Sequence, residues 1–453
     1  MTLTEMPQKH KQNIAYKAFR LYLRFFHDKI FYKKVYRIGL ENVPEEGKPL
    51  LIVSNHQNCL NDPLGLIFTF RDRKPHILAR ADVIEHNKFT NKFLRSVGLL
   101  PTFRMNYDGA DAVSKNTGTF NESEDALGDG NTIILFPEGM HQDKRWLGEF
   151  SSGFTKMAFE TAEKSDFETE VFIQPACNHY SDYYGIRNEM IIKFGTPISI
   201  APFYELYKTK PRTAQRQVIA LAHEQIGNLM LNITDLDNYE AIDFIRNIYG
   251  RRYALAQGLN PMHFPNMLDS DKRLFANLEK AKAENLDNVI GIYNKALEYK
   301  KTLESLNVTN NEVACNANLA QITANVLSLI VLLPIWIVSL WPNIFIYNAS
   351  NLFMKNVKDK MFEGTFRYTV SVMGAIPLFY ILTFVVACSL ANIWIALCYL
   401  CLLPALAVFA WGYWRFAKRT LGLIRYGRLS KAERENLSDA RKSVIDSLDG
   451  ILR

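Results

Sequence analysis

Residues 54 to 63, SNHQNCLNDP, place a histidine and an aspartate directly after an apolar run. A histidine that titrates near neutral pH is the usual general base, and a carboxylate bonded to its other ring nitrogen fixes its tautomer and orientation. Asp62 precedes Pro63, which is typical of a helix N-cap followed by proline at the first helical position. His56 and Asp62 therefore predict general-base catalysis, with a purely structural cap or surface histidine as the alternative.

Three further segments carry residues suited to a site. GLLPTFR, residues 98 to 104, ends on Arg104, whose guanidinium suits a two-pronged grip on phosphate or carboxylate unless it is simply solvated. LFPEGMH, residues 135 to 141, predicts a sharp turn that holds Glu138 in a cleft. Gly139 allows a close backbone approach or a positive φ there. FIQPACNHY, residues 172 to 180, places Pro175 at the end of a strand.

Taken in this order, the four segments resemble the glycerolipid acyltransferase family, which includes glycerol-3-phosphate and 1-acylglycerol-3-phosphate acyltransferases. The resemblance covers roughly residues 35 to 200. NHQNCLNDP is similar to the first family block, usually His-x4-Asp, but has one extra residue, as in the branch related to glycerol-3-phosphate and dihydroxyacetone-phosphate acyltransferases. GLLPTFR, FPEG and FIQPA resemble the second, third and fourth blocks.

The resemblance implies O-acyl transfer within an acyltransferase-type α/β sandwich. His56 would deprotonate the acceptor hydroxyl, which attacks an acyl thioester, and Asp62 would orient His56 and stabilise its imidazolium. Arg104 would clamp an acceptor phosphate, and Glu138 with Gly139 would shape the acceptor pocket. The co-substrate would be an acyl-CoA or acyl carrier protein thioester, and no cofactor and no metal are expected.

The sequence departs from the family pattern in two places. Members often continue FPEG with Thr-Arg-Ser, whereas this chain has Met140, His141 and Gln142, so the usual second basic contact is missing. Lys144 and Arg145 are near enough to substitute for it. The extra residue in the first block requires a slightly different loop to keep the histidine and the aspartate in contact. Lys144, Arg145 and the proline of the fourth block complete the candidate substrate-binding residues.

Alternating strands and helices must position these side chains. The segments GKPLLIVSNH, KPHILARA, NTIILFPEGM, VFIQPACNHY and MIIKFGTPISI read as strands, and FTNKFLRSVG, TFNESEDALGDG and residues 153 to about 164 read as helices. Apolar strands alternating with helices predict an α/β fold with much of its sheet buried on both faces. In such sheets chemistry gathers at strand ends, where the unusual residues of this chain occur.

Two long uncharged runs are the strongest physical signal in the sequence. No charged residue occurs between Glu312 and Lys355, or between Arg367 and Arg415, so the runs contain 42 and 47 residues. Each exceeds the roughly 20 residues needed to span a bilayer, which predicts C-terminal transmembrane helices. The second run is long enough for a helical hairpin that breaks around Ser389 to Asn392. No secretory signal peptide is expected, since charges interrupt every apolar stretch of the first 30 residues.

The net charge of +7 is concentrated beside apolar segments. Nine Lys or Arg but only one acidic residue lie between Lys9 and Arg37, and a second basic group follows the second run. Such clusters favour anionic lipid headgroups and mark the cytoplasmic side, which predicts a catalytic domain on the cytosolic face. Nucleic acid is not expected as a partner, because no recognised nucleic-acid motif accompanies the charge.

These patterns divide the chain into five parts. Ile14, Ala18, Leu21 and Phe25 recur at helical spacing, which predicts an amphipathic helix lying in the membrane interface or packed on the domain. The parts are an N-terminal amphipathic interfacial helix (1–34), an acyltransferase domain (35–205), a helical connector (206–312), a membrane region (313–414) and a basic C-terminal tail (415–453).

Alternatives from other classes stay open at this point. A metal hydrolase could use His56, Asp62, His76, His86 and His141, although none has the i, i+4 histidine spacing of zincin helices. A membrane-anchored binding protein with a decayed acyltransferase fold is a second rival. Within acyl transfer, glycerol-3-phosphate, dihydroxyacetone phosphate and lysophosphatidate are the expected acceptors, with an amino-acid lipid (acylated glycine or ornithine) as the alternative.

Overall fold

The computed structural model describes residues 14–71, 73–81, 88–102, 112–140, 144–355 and 362–452. The chain forms two compact units. The first runs to Met230 and also includes the later segment Asn356–Tyr368; the second comprises Leu231–Lys355 and Thr369–Arg453.

The first unit contains a sheet and the helices around it. Its strands are β1 (Tyr32–Ile38), β2 (Leu50–Ser54), β3 (His76–Arg80), β4 (Leu99–Thr102), β5 (Thr132–Leu135), β6 (Phe172–Tyr180), β7 (Asn188–Phe194) and β8 (Ile198–Ser199). Its helices are α1 (Ile14–Phe25), α2 (Asn61–Thr69), α3 (Lys88–Ser96), α4 (Ala112–Gly128), α5 (Gly153–Glu163), α6 (Tyr204–Thr209) and α7 (Pro211–Leu229), with a π-helical turn at Phe26–Phe31 and 3-10 turns at Leu40–Asn42 and Ala201–Phe203.

The strands form one mixed sheet in the order β1-β7-β6-β2-β5-β3-β4, and β8 pairs with β6. Strand β2 is parallel to β5 on one side and to β6 on the other, with Val53 in register with both Leu135 and Pro175. The carboxyl ends of β2 and β5 therefore meet at one edge, as the sequence pattern predicts. The α/β fold is confirmed.

The centre of the sheet is covered on both faces, which is why its strands are continuous apolar runs rather than alternating ones. All four side chains from Leu50 to Val53 have no exposed surface. Helix α7 belongs to the same core, because Val218, Ala222 and Ile226 are fully buried in the cluster that contains the strand residues. The unit with the sheet therefore extends beyond residue 205, the boundary expected from the sequence, to Met230.

Helix α1 packs on the rest of the first unit through one of its faces. The guanidinium of Arg20 donates to the carbonyls of Ile67 and Arg71 at 2.9 and 2.7 Å, at the end of α2 where helix carbonyls lack intrahelical partners. On the other face, the side chains of Ile14 and Leu21 are 86% and 69% exposed. The amphipathic helix is thus packed on the domain and still presents an apolar stripe.

The second unit is helical. Its helices are α8 (Tyr239–Ala256), α9 (Phe264–Glu284), α10 (Leu286–Ser305), α11 (Asn310–Cys315), α12 (Leu319–Leu340), α13 (Asn343–Met354), α15 (Ile376–Leu390), α16 (Ile393–Arg428) and α17 (Lys431–Ile451), and a π-helical turn, Thr369–Ala375, precedes α15. The helix α14 (Phe362–Tyr368) belongs to the first unit.

Three helical segments in the described part of the chain are long and apolar enough to cross a membrane, namely Leu319–Leu340, Phe362–Leu390 and Ile393–Arg428. The predicted break of the second run is confirmed, since α15 ends at Leu390 and α16 begins at Ile393. Asn392 caps α16 by accepting from two backbone N–H groups. Helix α16 continues without interruption into the basic residues that follow the run, so the C-terminal tail starts inside a helix.

Helix α17, which follows the second apolar run, packs on helices α8 and α10, which precede the first apolar run. Tyr249 on α8 donates its hydroxyl to Asp449 on α17 at 2.6 Å, and Arg252 pairs with the same carboxylate at 2.6 Å. Lys295 on α10 lies 3.2 Å from the hydroxyl of Ser447. The two polar flanks of the membrane region therefore form one helical bundle.

Candidate active site

The predicted base and its orienting carboxylate are in contact. His56 follows β2 by two residues, and its Nδ1 lies 2.8 Å from Oδ2 of Asp62. The Asp62 side chain is fully buried, whereas that of His56 is 19% exposed. A carboxylate can only accept, so Nδ1 carries the hydrogen, and Nε2 is the nitrogen of the neutral ring that accepts a proton.

Asp62 joins several parts of the site through both of its oxygens. Oδ2 also accepts the backbone N–H groups of Gln57 and Asn58 at 2.8 and 2.7 Å. Oδ1 accepts the hydroxyl of Tyr180 at 2.5 Å. This buried carboxylate is therefore hydrogen-bonded on every side, as a buried charge must be.

The expectation that Asp62 caps α2 is wrong. The helix begins at Asn61, and the N-cap position is Leu60, which makes no side-chain cap. Asp62 lies inside the first turn, and its carboxylate turns back onto the loop before the helix. The loop, lengthened by one residue, presents its N–H groups to Asp62, and these replace the N–H groups that a cap would bind.

Tyr180 was not singled out by the sequence reasoning. It is the last residue of β6, it has no exposed surface, and 118 positions separate it from Asp62. Burial raises its pKa well above the ordinary value, and the neighbouring charge of Asp62 raises it further. Its phenol therefore stays protonated and donates to Asp62. The only available signal was its place at the end of the strand that carries the proline block.

Glu138 lies three residues beyond β5 and braces the site rather than only lining it. Its Oε1 accepts the backbone N–H of His56 and its Oε2 that of Gly148, both at 2.9 Å. Gly139 has φ +68°, and an added Cβ would meet nothing within 4 Å, so the turn requires its positive φ rather than a close approach. The ring of Phe136 stacks on the imidazole of His56, with centroids 4.3 Å apart.

The other candidate residues occupy different environments. The guanidinium of Arg145 is buried and donates to the carbonyl of Tyr180 and the hydroxyl of Tyr183, both at 3.3 Å. Lys144 is exposed, and its carbonyl accepts from the side chain of Gln57 at 2.9 Å. The expectation that Pro175 ends a strand is wrong, because β6 continues to Tyr180; Pro175 is buried inside β6 beside Val53 of β2.

Arg104 lies outside the described residues, as do His86 and His141 of the metal-hydrolase alternative. Strand β4, which precedes Arg104 in the chain, ends at Thr102 and is parallel to β3. In the part of the chain that the structure describes, no group of three or more His, Cys, Asp or Glu side chains is arranged to hold a metal ion.

Comparisons with known proteins find similarity to acyltransferases. Residues 34–178 match the family model described as Acyltransferase. A curated relative, the probable 1-acyl-sn-glycerol-3-phosphate acyltransferase of Mycoplasma pneumoniae, is 27% identical over 157 residues, which cover 34% of this chain and 55% of the relative. The chain thus spans about half the length of that relative.

A solved structure is also similar. It is the 1-acyl-sn-glycerophosphate acyltransferase PlsC of Thermotoga maritima, with 18% identity and a TM-score of 0.34, over 48% of this chain and 81% of the other. The family model covers both members of the His56–Asp62 pair as well as Glu138 and Pro175. Through residues 34–178, the chain is therefore similar to acyltransferases of the glycerolipid type.

Proposed function

We propose that the chain is a membrane-bound O-acyltransferase of phospholipid biosynthesis. It transfers a fatty acyl group from an acyl-CoA or acyl carrier protein thioester to the hydroxyl of lysophosphatidate, glycerol-3-phosphate or dihydroxyacetone phosphate. The observation that carries this proposal is the 2.8 Å contact between His56 and the buried Asp62 inside the matched acyltransferase segment.

The mechanism follows from which groups can hold a proton. Nε2 of His56 removes the proton of the acceptor hydroxyl as its oxygen attacks the thioester carbonyl. The imidazolium that forms is stabilised by Asp62, which is held by Tyr180 and the loop N–H groups. When the tetrahedral intermediate collapses, the C–S bond breaks and the imidazolium returns its proton to the departing thiolate. The products are the acyl ester and the free thiol, and no metal or cofactor takes part.

Lysophosphatidate is the acceptor favoured by the name of the curated relative, and all three acceptors carry a phosphate. Arg104 would bind that phosphate through charge-assisted hydrogen bonds, in keeping with the second family block. Glu138 acts on the reaction through the backbone of His56, and Gly139 permits the turn that places it.

Contact with the bilayer would come from two regions. The apolar helices α12, α15 and α16 would lie in the membrane. The exposed stripe of α1 borders a cleft of about 440 Å³ whose basic lining residues are Arg24, Lys29, Lys33, Lys34 and Arg37. Apolar side chains beside cations suit the interface of an anionic bilayer, so α1 is proposed as an interfacial helix.

The catalytic domain and both polar flanks are proposed to lie on the cytosolic face. Packing of α17 on α8 and α10 supports a common face for the two flanks, because helices in one bundle lie on one side of a bilayer. Helix α13 has 12 residues, fewer than the roughly 20 needed to span, so the first run would be a re-entrant hairpin. The second run would be a hairpin of α15 and α16.

A direct assay tests the function. Purified protein in detergent or vesicles is given a radiolabelled acyl thioester and a panel of acceptors: lysophosphatidate, glycerol-3-phosphate, dihydroxyacetone phosphate, and glycine and ornithine lipids. His56→Ala should lower turnover by about 10² to 10⁴ with little change in acceptor affinity. His263→Ala, on the connector, is the matched control and should behave as wild type. Normal turnover by His56→Ala would disprove the assigned base.

A further inference from the structure

Helix α14 comes from the chain between the two apolar runs, yet it belongs to the first unit and contacts the loop between His56 and Asp62. The hydroxyl of Thr365 accepts the backbone N–H of Leu60 at 3.0 Å. The same hydroxyl donates to the carbonyl of Asn58 at 3.3 Å. One side chain thus satisfies a donor and an acceptor of the same loop.

Gly364 allows this approach. A Cβ at Gly364 would lie 2.6 Å from the carbonyl oxygen of Tyr183 and 2.8 Å from Oδ1 of Asn58, closer than real Cβ atoms come. Tyr183 and Asn58 are themselves linked, since the side-chain amide of Asn58 donates to the Tyr183 carbonyl at 2.9 Å. A residue larger than glycine would push α14 away from the loop.

The loop needs contacts that hold it. Cys59, which is buried, has φ +40°, a left-handed conformation that non-glycine residues rarely adopt. Its two neighbours, Asn58 and Leu60, are the residues that Thr365 binds. Thr365 therefore clamps the loop on both sides of its most unusual residue.

Two hydrogen bonds connect the clamped loop to His56. The N–H of Asn58 donates to Asp62 at 2.7 Å, and Asp62 holds the ring of His56 at 2.8 Å. We propose that Thr365 is a positioning residue of the acyl-transfer site, which holds the lengthened loop so that its N–H groups meet the orienting carboxylate. This inference rests on the proposed function, and it assigns to the segment between the apolar runs a part in catalysis.

Helix α14 is also held by Tyr368, so the role of Thr365 can be tested by a substitution that leaves the helix in place. Tyr368 is fully buried, and its hydroxyl donates to the carbonyl of Leu23 on α1 at 3.0 Å. Removing the Thr365 hydroxyl should therefore leave α14 in place and remove only its two hydrogen bonds to the loop.

The experiment compares Thr365→Val with Thr365→Ser in the full-length chain. Valine has nearly the same shape but cannot hydrogen-bond, whereas serine keeps the hydroxyl. Thr365→Val should lower kcat by roughly tenfold, as expected for two lost hydrogen bonds, with little change in KM for either substrate. Thr365→Ser should restore most of that turnover. Thr302→Val, on the exposed side of α10, is the matched control and should leave kcat unchanged.

Hydrogen exchange provides a readout that does not depend on activity. Thr365→Val should accelerate exchange in the peptide that contains the Leu60 amide, and Thr365→Ser should not. Gly364→Ala, which keeps the hydroxyl but displaces it, should lower kcat as Thr365→Val does. If the wild type transfers acyl groups but neither Thr365→Val nor Gly364→Ala changes kcat or hydrogen exchange, the inference is overturned and the proposed function stands. A wild type that transfers no acyl group to any acceptor would overturn the proposed function and the inference with it.

Discussion

Glu138 ties the backbone of His56 to that of Gly148, accepting one N–H with each carboxylate oxygen at 2.9 Å. The turn after β5 therefore holds the main chain that leaves β2, and Phe136 of the same turn stacks on the His56 ring. Two neighbouring strand ends thus form one support for His56.

Replacing Glu138 by glutamine should weaken this support. An amide has one accepting oxygen, so one backbone N–H would face an NH₂ group and lose its partner. We expect the free energy of unfolding to fall by about 1 to 3 kcal/mol and kcat to fall with it. Thermal melts and steady-state kinetics measure both quantities. Glu149→Gln, at an exposed glutamate in the same segment, is the control, and equal effects of the two changes would contradict the brace.

Asp62→Asn separates charge from hydrogen bonding. The amide oxygen can accept from His56 and the two loop N–H groups if the NH₂ group faces Tyr180, whose hydroxyl can then accept. The fold should therefore survive while turnover falls by about 10² or more, because the imidazolium loses its countercharge. A folded Asp62→Asn protein with near-normal turnover would rule out the orienting role.

Tyr180→Phe removes only the hydrogen bond to the other oxygen of Asp62. One oxygen of a buried carboxylate then lacks its donor, so we expect roughly a tenfold loss of turnover and a lower melting temperature. Tyr183→Phe, which removes a nearby hydroxyl that does not bind Asp62, should have the smaller effect on turnover.

Substitutions of Arg104 and Arg145 should have different effects. Arg104→Ala should raise KM for a phosphorylated acceptor by roughly tenfold or more and leave a phosphate-free acceptor nearly unaffected. Arg145→Ala should instead lower the melting temperature, since its buried guanidinium binds Tyr180 and Tyr183. If Arg145→Ala changes KM alone, Arg145 is the phosphate contact.

Local patterns in the sequence were sufficient for most of the strands and for the pair His56 and Asp62, but β4 was not predicted and the single strand expected in MIIKFGTPISI is divided into β7 and β8. Short apolar runs that end in polar residues mark the ends of β2, β5 and β6, and the break near Asn392 follows from the length of the second run. The partners of Asp62 could not be predicted in this way. Tyr180 and the loop N–H groups reach it only through the packing of distant segments, and no local pattern records that packing.

The brace that Glu138 forms could not be predicted for a related reason. Its place in FPEG predicts a cleft residue, but the N–H donors that its carboxylate accepts from depend on where the chain after β2 and the loop at Gly148 lie. Thr365 was also missed, since it lies between apolar runs that suggest only membrane insertion.

The same-face arrangement predicts that Lys355→Cys is labelled from the cytosol. The substitution is made in a chain whose six native cysteines are replaced by alanine, with Asp129→Cys marking the side of the catalytic unit. An impermeant maleimide should label both positions only after the membrane is permeabilised. Labelling of position 355, but not 129, in intact cells would require an odd number of crossings between them.

The contact between Leu60 and Thr365 spans 305 positions of the chain. At about 5 to 20 residues per second, a ribosome makes Thr365 about 15 to 60 s after Leu60. The whole first apolar run is synthesised within that interval, so it is made before the loop can receive its last contact. The order of synthesis thus delays maturation of the site until α12, the first helix long and apolar enough to cross a membrane, has been made.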